Sequence, residues 1–232
     1  MNEAEFDKFA DEYRNLHLTN IKASGENPEF FAEYKIKDTV LLASKSGIKG
    51  PINVLDYGCG VGNSIPFFKQ HLPNCELTGA DVSRKSLDIA EARFPGQASF
   101  IVLPGANVPF EDESFDIIFS ACVFHHIPHG EHISILKDMW RTLKHNGLLV
   151  IFEHNPYNPL TVKAVNTCPF DENAVLIKPH QLINALKRAN FLLIQCHYRI
   201  FFPGQLRTMR FLEPLLTWLP LGAQYYVAAH KA

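Results

Sequence analysis

An apolar run, Ile52 to Leu55, ends in an acid, Asp56, and breaks at once into a turn with glycines at 58, 60 and 62. No other stretch limits the fold so strongly. The run reads as a buried strand, and the glycines allow positive φ and let backbone approach a ligand with no Cβ in the way. A helix is expected from about Asn63, its first N–H groups lacking intrahelical partners. Such a unit delivers backbone to a nucleotide-like ligand, and the neighbouring residues decide which one.

Apolar stretches and amphipathic stretches alternate from there on. Strands are expected at 52–56, 76–81, 98–103, 115–121 and 147–152, with helices at 63–71, 84–94 and 130–144 between them. Strands that are apolar almost throughout, separated by helices, call for a parallel sheet covered on both faces. A helix at 179–189 and strands at 191–202 and 223–230 complete an α/β, Rossmann-like, seven-stranded sheet, mostly parallel with one antiparallel strand. Residues 1–20 and 29–46 read as two further helices, so that 1–48 forms a helical lid. Residues 155–178, with three prolines, and 203–222 read as insertions on the acceptor side of a single domain spanning 1–232.

Composition narrows the partners. A formal charge of −2 and the absence of any Lys/Arg run argue against a nucleic-acid groove. The acidic start, Met1 to Asp7, lacks the apolar core of a signal peptide, and no segment has the ~18 uninterrupted apolar residues of a membrane span. Five scattered cysteines with no CxxC pair point neither to zinc nor to a disulfide framework. A cytoplasmic protein is expected.

In open α/β sheets, ligands lie beyond the carboxyl ends of the strands at the switch point, so successive strand ends form one site. These ends carry Asp56 with the glycine turn, Gly79-Ala80-Asp81-Val82-Ser83, Leu103-Pro104-Gly105-Ala106-Asn107, and Ser120-Ala121-Cys122-Val123-Phe124-His125-His126. An acid directly after an apolar strand, as Asp81 is, can accept hydrogen bonds from vicinal ribose hydroxyls. A nicotinamide-dependent oxidoreductase also fits an acid 25 residues after Asp56. The spacing Gly-x-Gly-x-Gly, with Asp56 before the turn, departs from its Gly-x-Gly-x-x-Gly. A non-catalytic module that keeps the cofactor cleft is a third reading.

The pieces together resemble the class I S-adenosylmethionine-dependent methyltransferases over residues 30–155. Val54 to Gly62 looks like that family's first motif, and Asp81 matches its ribose-binding acid. Val108-Pro109-Phe110 with Ser114-Phe115-Asp116 resembles its "LPF…SFD" stretch, and Trp140 to Leu149 its "RVLKPGG" turn. The resemblance implies S-adenosyl-L-methionine as cofactor. Gly58, Cys59 and Gly60 would hold its methionine end, Asp81 its ribose, and Gly105 and Ala106 its adenine. Tyr13, as part of the lid, Asp56, Val82 and Ala121 complete the expected cofactor set. Pro104 stands where the family often has an adenine-binding acid, which leaves adenine to the backbone and apolar stacking.

Methyl transfer needs alignment and exclusion of water, and a base only for a protonated acceptor. His126, in His-His-Ile-Pro, and His154, after the fifth strand, are the candidate bases, with Glu153 expected to orient His154. Turn-building by these residues is the alternative. His129 and His132 follow His126, yet no acidic ligand set stands nearby, so no metal is expected. The run Glu153 to Thr161 and Asn166 to Asp171 resembles a bacterial subgroup, and the excursion is expected to cover a small-molecule or lipid-linked acceptor methylated at oxygen or nitrogen. Leu206, Met209, Phe211, Leu215 and Trp218 form an apolar wall for such an acceptor, a homodimer surface, or a crossover packed on the sheet edge.

Overall fold

The computed structural model of the chain describes residue 21 and residues 24–105 and 108–231. Its elements are α1 (Pro28–Lys45), β1 (Ile52–Tyr57), α2 (Ile65–His71), β2 (Cys75–Asp81), α3 (Arg84–Arg93), β3 (Ser99–Val102) and β4 (Phe115–Ala121). There follow α4 (His132–Thr142), β5 (Leu143–His154), α5 (Pro159–Asn166), α6 (Pro179–Arg188), β6 (Leu192–Arg199), α7 (Glu213–Leu216) and β7 (Gln224–His230). Three 3₁₀ turns, at Phe124–His126, Pro169–Asp171 and Gly204–Leu212, punctuate the second half.

The seven strands form one sheet in the order β3-β2-β1-β4-β5-β7-β6. Neighbours among β1 to β5 are parallel. β7 runs against both β5 and β6, so the expected antiparallel strand makes two antiparallel pairings. Chain order reverses between β1 and β4, which makes that edge the switch point where a ligand crevice belongs.

Successive strand residues point to opposite faces, and both faces are dry. Leu55, Ile118, Leu149, Ile151 and Val227 pack on one side, where α4 and α6 supply Leu136, Met139, Leu182 and Leu186. Val54, Ile117, Phe119, Val150 and Phe152 pack on the other, against Ile36 of α1 and Ile65 and Phe68 of α2. This two-sided burial explains why the central strands are apolar almost without alternation.

The structure departs from the sequence reading in the second half. α4 stops at Thr142 and β5 starts at Leu143, four residues before the expected strand. Asn146, at φ +61°, lies within the early part of β5, and the pairing with β4 shifts between Phe115 and Ile117. The proline-rich excursion contains α5, started by Pro159 and capped by the Asn158 side chain, which accepts from Leu160 N (3.0 Å) and Thr161 N (3.2 Å). The apolar segment near 205–220 is a 3₁₀ turn kinked at Leu206, followed by the short α7. It meets the sheet edge at β6, where Tyr198 N donates to Thr217 O at 2.7 Å, while Phe211, Leu215 and Trp218 are each more than 70% exposed.

Candidate functional site

The turn after β1 is held against the end of β2. Gly58 N and Cys59 N both donate to Ala80 O, at 2.7 and 3.2 Å. Gly58 has φ +77°, and a Cβ there would come within 2.3 Å of Val123 Cγ2, so conformation and space both exclude a side chain. Gly60, at φ +51°, differs: a Cβ there would meet nothing within 4 Å. The turn is thus closed on its protein side and open at Gly60.

Asp81 joins the two strand ends. Its Oδ2 accepts from Gly60 N and its Oδ1 from Ser83 N, both at 2.9 Å. The carboxylate is oriented before any ligand arrives. Val82 is buried beside it, and Leu103 N donates to Asp81 O at 2.8 Å, bringing the β3 end and Gly105 alongside. Open space at Gly60, an aimed carboxylate and the neighbouring Gly105 backbone fit a nucleoside with an amino-acid tail, as S-adenosylmethionine is. Ala106 and Tyr13 lie outside the described residues.

Asp56 is buried and accepts from the Ser64 hydroxyl. Burial pushes its carboxyl up to about 7, the Ser64 bond opposes this, and the Asp81 charge adds to it. A raised acid pKa means that the folded state keeps a proton the unfolded chain gives up. Stability is therefore fully present below about pH 4 and is lost as pH climbs towards 7, by about 1.4 kcal/mol per pH unit across that interval. Asp56→Asn, which carries no charge at any pH, should flatten this dependence. Urea midpoints at pH 5 and pH 8 should lie closer together in the variant than in the parent; equal gaps would place the dependence on other groups.

Beyond β4, the backbone turns at Cys122 (φ +60°) into the Phe124–His126 turn. Glu153, fully buried on β5, organises this turn. Its Oε1 accepts from Val123 N (3.2 Å) and Phe124 N (2.8 Å), while its Oε2 lies 2.6 Å from His125 Nδ1. The expectation that Glu153 orients His154 is therefore corrected. Adjacent strand residues point to opposite faces, and the Glu153 carboxylate is engaged with the β4 turn. Burial works against a charged His125, but Glu153 and Asp171 outweigh it and raise the imidazole to about 10.

His154 stands on the other face with Cys122 and Gln224, whose Nε2 is 3.5 Å from His154 Nδ1. Lys35 Nζ reaches 3.6 Å from Cys122 Sγ, and the Tyr34 hydroxyl donates to Gln224. Burial opposes both charges here, yet the Cys122 thiol is drawn down to about 7 by His154 and Lys35, and His154 is raised in turn by Cys122. Ala121, half-buried, ends β4 just before this group.

His126 Nε2 lies 3.4 Å from Asp171 Oδ1, and its ring stands 4.2 Å from that of His125, which in turn is 5.2 Å from the His154 ring. His132 Nε2 sits between Phe124 O and Ile127 O (3.1 and 2.9 Å), a structural role that closes the turn. Sequence reasoning missed Lys35 and Gln224, which lie on elements far from the motifs, and nothing in the chain shows which of His125 and His126 faces Glu153.

Residues 54–147 match the family model described as a methyltransferase domain. A demethylmenaquinone methyltransferase from Thermotoga maritima is 40% identical over 108 residues, 47% of this chain and 46% of that protein. A trans-aconitate 2-methyltransferase from Methylobacterium nodulans is 31% identical over 121 residues, 52% of this chain and 45% of that protein. The chain spans about half the length of the curated relatives it matches. Among solved structures, a methyltransferase from Thermotoga maritima aligns over 99% of both chains with TM-score 0.66 at 18% identity. Phosphoethanolamine N-methyltransferase 2 of Haemonchus contortus, in complex with S-adenosyl-L-methionine, aligns over 97% of this chain and 60% of that one, with TM-score 0.66 at 17% identity. At such identities these two likenesses speak for the fold. Residues 54–147, with their strand-end motifs in family order, thus form a methyltransferase domain.

Proposed function

We propose that the chain transfers a methyl group from S-adenosylmethionine to a small or lipid-linked acceptor, at oxygen or nitrogen, beside Cys122 and His154. The observation that carries this reading is the pairing of Gly60, open to solvent space, with the pre-aimed Asp81 carboxylate at the switch point. When bound, the cofactor supplies an electrophilic methyl on a sulfonium. Gly58, Cys59 and Gly60 would hold its amino-acid end, Asp81 and Val82 its ribose, and Gly105 its adenine. Asp56 shapes the turn through Ser64.

The protein's own contribution is alignment, dryness and a place for a proton. His154, half-buried and fixed between Cys122 and Gln224, is the group best placed to take a proton from an acceptor hydroxyl or ammonium. Gln224 and Cys122 fix its ring, so His154 rather than His126 carries the proposal. Lys35 would stabilise negative charge developing on the acceptor. The exposed Phe211, Leu215 and Trp218 favour an apolar acceptor. They follow Arg210, which stacks 4.5 Å over Phe30 on the first turn of α1, one turn before Tyr34 and Lys35. The named substrate class of the menaquinone relatives agrees with an apolar acceptor.

Thermal titration followed by turnover tests the reading. S-adenosylhomocysteine at micromolar concentration should raise the unfolding midpoint, and nicotinamide dinucleotides should leave it in place. With an acceptor identified from a panel, His154→Ala should lower kcat by about 10²–10⁴-fold. Stabilisation without turnover of any acceptor would favour a cofactor-binding module, and full turnover in the variant would remove the base.

A further inference from the structure

The 3₁₀ turn after β4 and the one at Pro169–Asp171 are far apart in sequence, yet they converge on one point. Asp171 Oδ1 lies 3.4 Å from His125 Nε2 and 3.4 Å from His126 Nε2, and the three ligand-type atoms are all within 4.8 Å of one another. We propose that His125 Nε2, His126 Nε2 and Asp171 Oδ1 form a binding site for a single divalent transition-metal ion of the zinc or iron(II) type.

The distances suit an ion better than a hydrogen-bonded pair. At 3.4 Å the contacts are long for hydrogen bonds, whereas ligands ~2.1 Å from a tetrahedral ion stand ~3.4 Å apart. His125 Nε2 is buried and has no hydrogen-bond partner, a costly state for a ring nitrogen that an ion would relieve. His125 Nδ1 is already committed to Glu153 Oε2 at 2.6 Å, which fixes the ring and leaves Nε2 as the ligating atom. This carboxylate behind an imidazole is the arrangement that supports metal-bound histidines. The charge also balances: two buried carboxylates, Glu153 and Asp171, face two imidazoles, and a dication with neutral rings matches them. Two imidazoles and a carboxylate suit zinc or iron(II) rather than magnesium or calcium.

Room for further ligands exists. A cavity of about 360 Å³ opens beside His125 and His126, lined by Pro128, His129, Asn173 and Val175. Val175 N donates to His125 O at 2.8 Å, so the excursion that brings Asp171 is anchored to the histidine turn. The expectation of no metal rested on the lack of a neighbouring acid in the sequence. Asp171 arrives from more than 40 residues away.

The test uses the full chain, stripped with a chelator and titrated with zinc, and separately with cobalt(II). One equivalent should bind at micromolar metal, cobalt should show the visible absorption of a low-coordinate site, and the unfolding midpoint should rise. His126→Ala and the isosteric Asp171→Asn should each weaken zinc binding at least tenfold, and Glu153→Gln by about tenfold or more through the supporting bond. His145→Ala, at an exposed histidine elsewhere, should change nothing. Absence of stoichiometric binding by the parent chain would overturn the site. So would unchanged zinc affinity in Asp171→Asn, a variant that preserves side-chain shape.

Discussion

Glu153→Ala should cost about 3–5 kcal/mol of folding stability, because it removes one member of a buried ion pair and leaves the other uncompensated. The carboxylate satisfies three donors at once: Val123 N, Phe124 N and His125 Nδ1. With it gone, two buried amides and a buried imidazole lose their acceptor with no water to replace it. For a chain of this size each kcal/mol moves the midpoint by roughly 2–4 °C, so a fall of about 10 °C is expected. Glu153→Gln keeps an oxygen for the amides and should fall between parent and Ala. Calorimetry on the three proteins decides the matter. A change below about 1 kcal/mol in the Ala variant would show that the turn is held by packing rather than by this carboxylate.

Asp81→Ala should weaken binding of S-adenosylhomocysteine by at least tenfold and by up to about 10²-fold. Each charge-assisted bond to a ribose hydroxyl is worth about 1.5–3 kcal/mol, and 1.4 kcal/mol is one decade. A second effect acts in the same direction. Asp81 also holds Gly60 N and Ser83 N, so its loss releases the turn that must meet the ligand. Asp81→Asn retains a carbonyl oxygen for one of these amides and should bind better than the Ala variant. Calorimetric titration below both midpoints separates affinity from folding. Unchanged affinity in Asp81→Ala would place the ribose elsewhere.

The strand-end half of the candidate site was legible in the sequence because its geometry is local. Strand, glycine turn and acid follow one another within a few residues, and a parallel sheet places all such ends on one edge. Asp56, Gly60 and Asp81 therefore fall where the motifs put them. The half around His154 was less legible. His154 meets Gln224 and Cys122 only through strand pairing, with His154 opposite Gln224 in register, and Lys35 arrives from α1. The histidine pair shows the same limit. Which ring faces Glu153 depends on the 3₁₀ turn, a feature too short to carry periodicity. α5 could have been found, since Asn158-Pro159 is a helix-start signal, but the density of prolines around it suggested irregular chain.

β7 lies between β5 and β6, although both precede it in the chain. While the polypeptide is being made, those two strands must wait with open edges until residues 224–230 leave the ribosome. Unpaired edges of this kind invite pairing with other molecules. Nascent or prematurely terminated chains should therefore be the aggregation-prone species, and chaperone demand should peak late in synthesis.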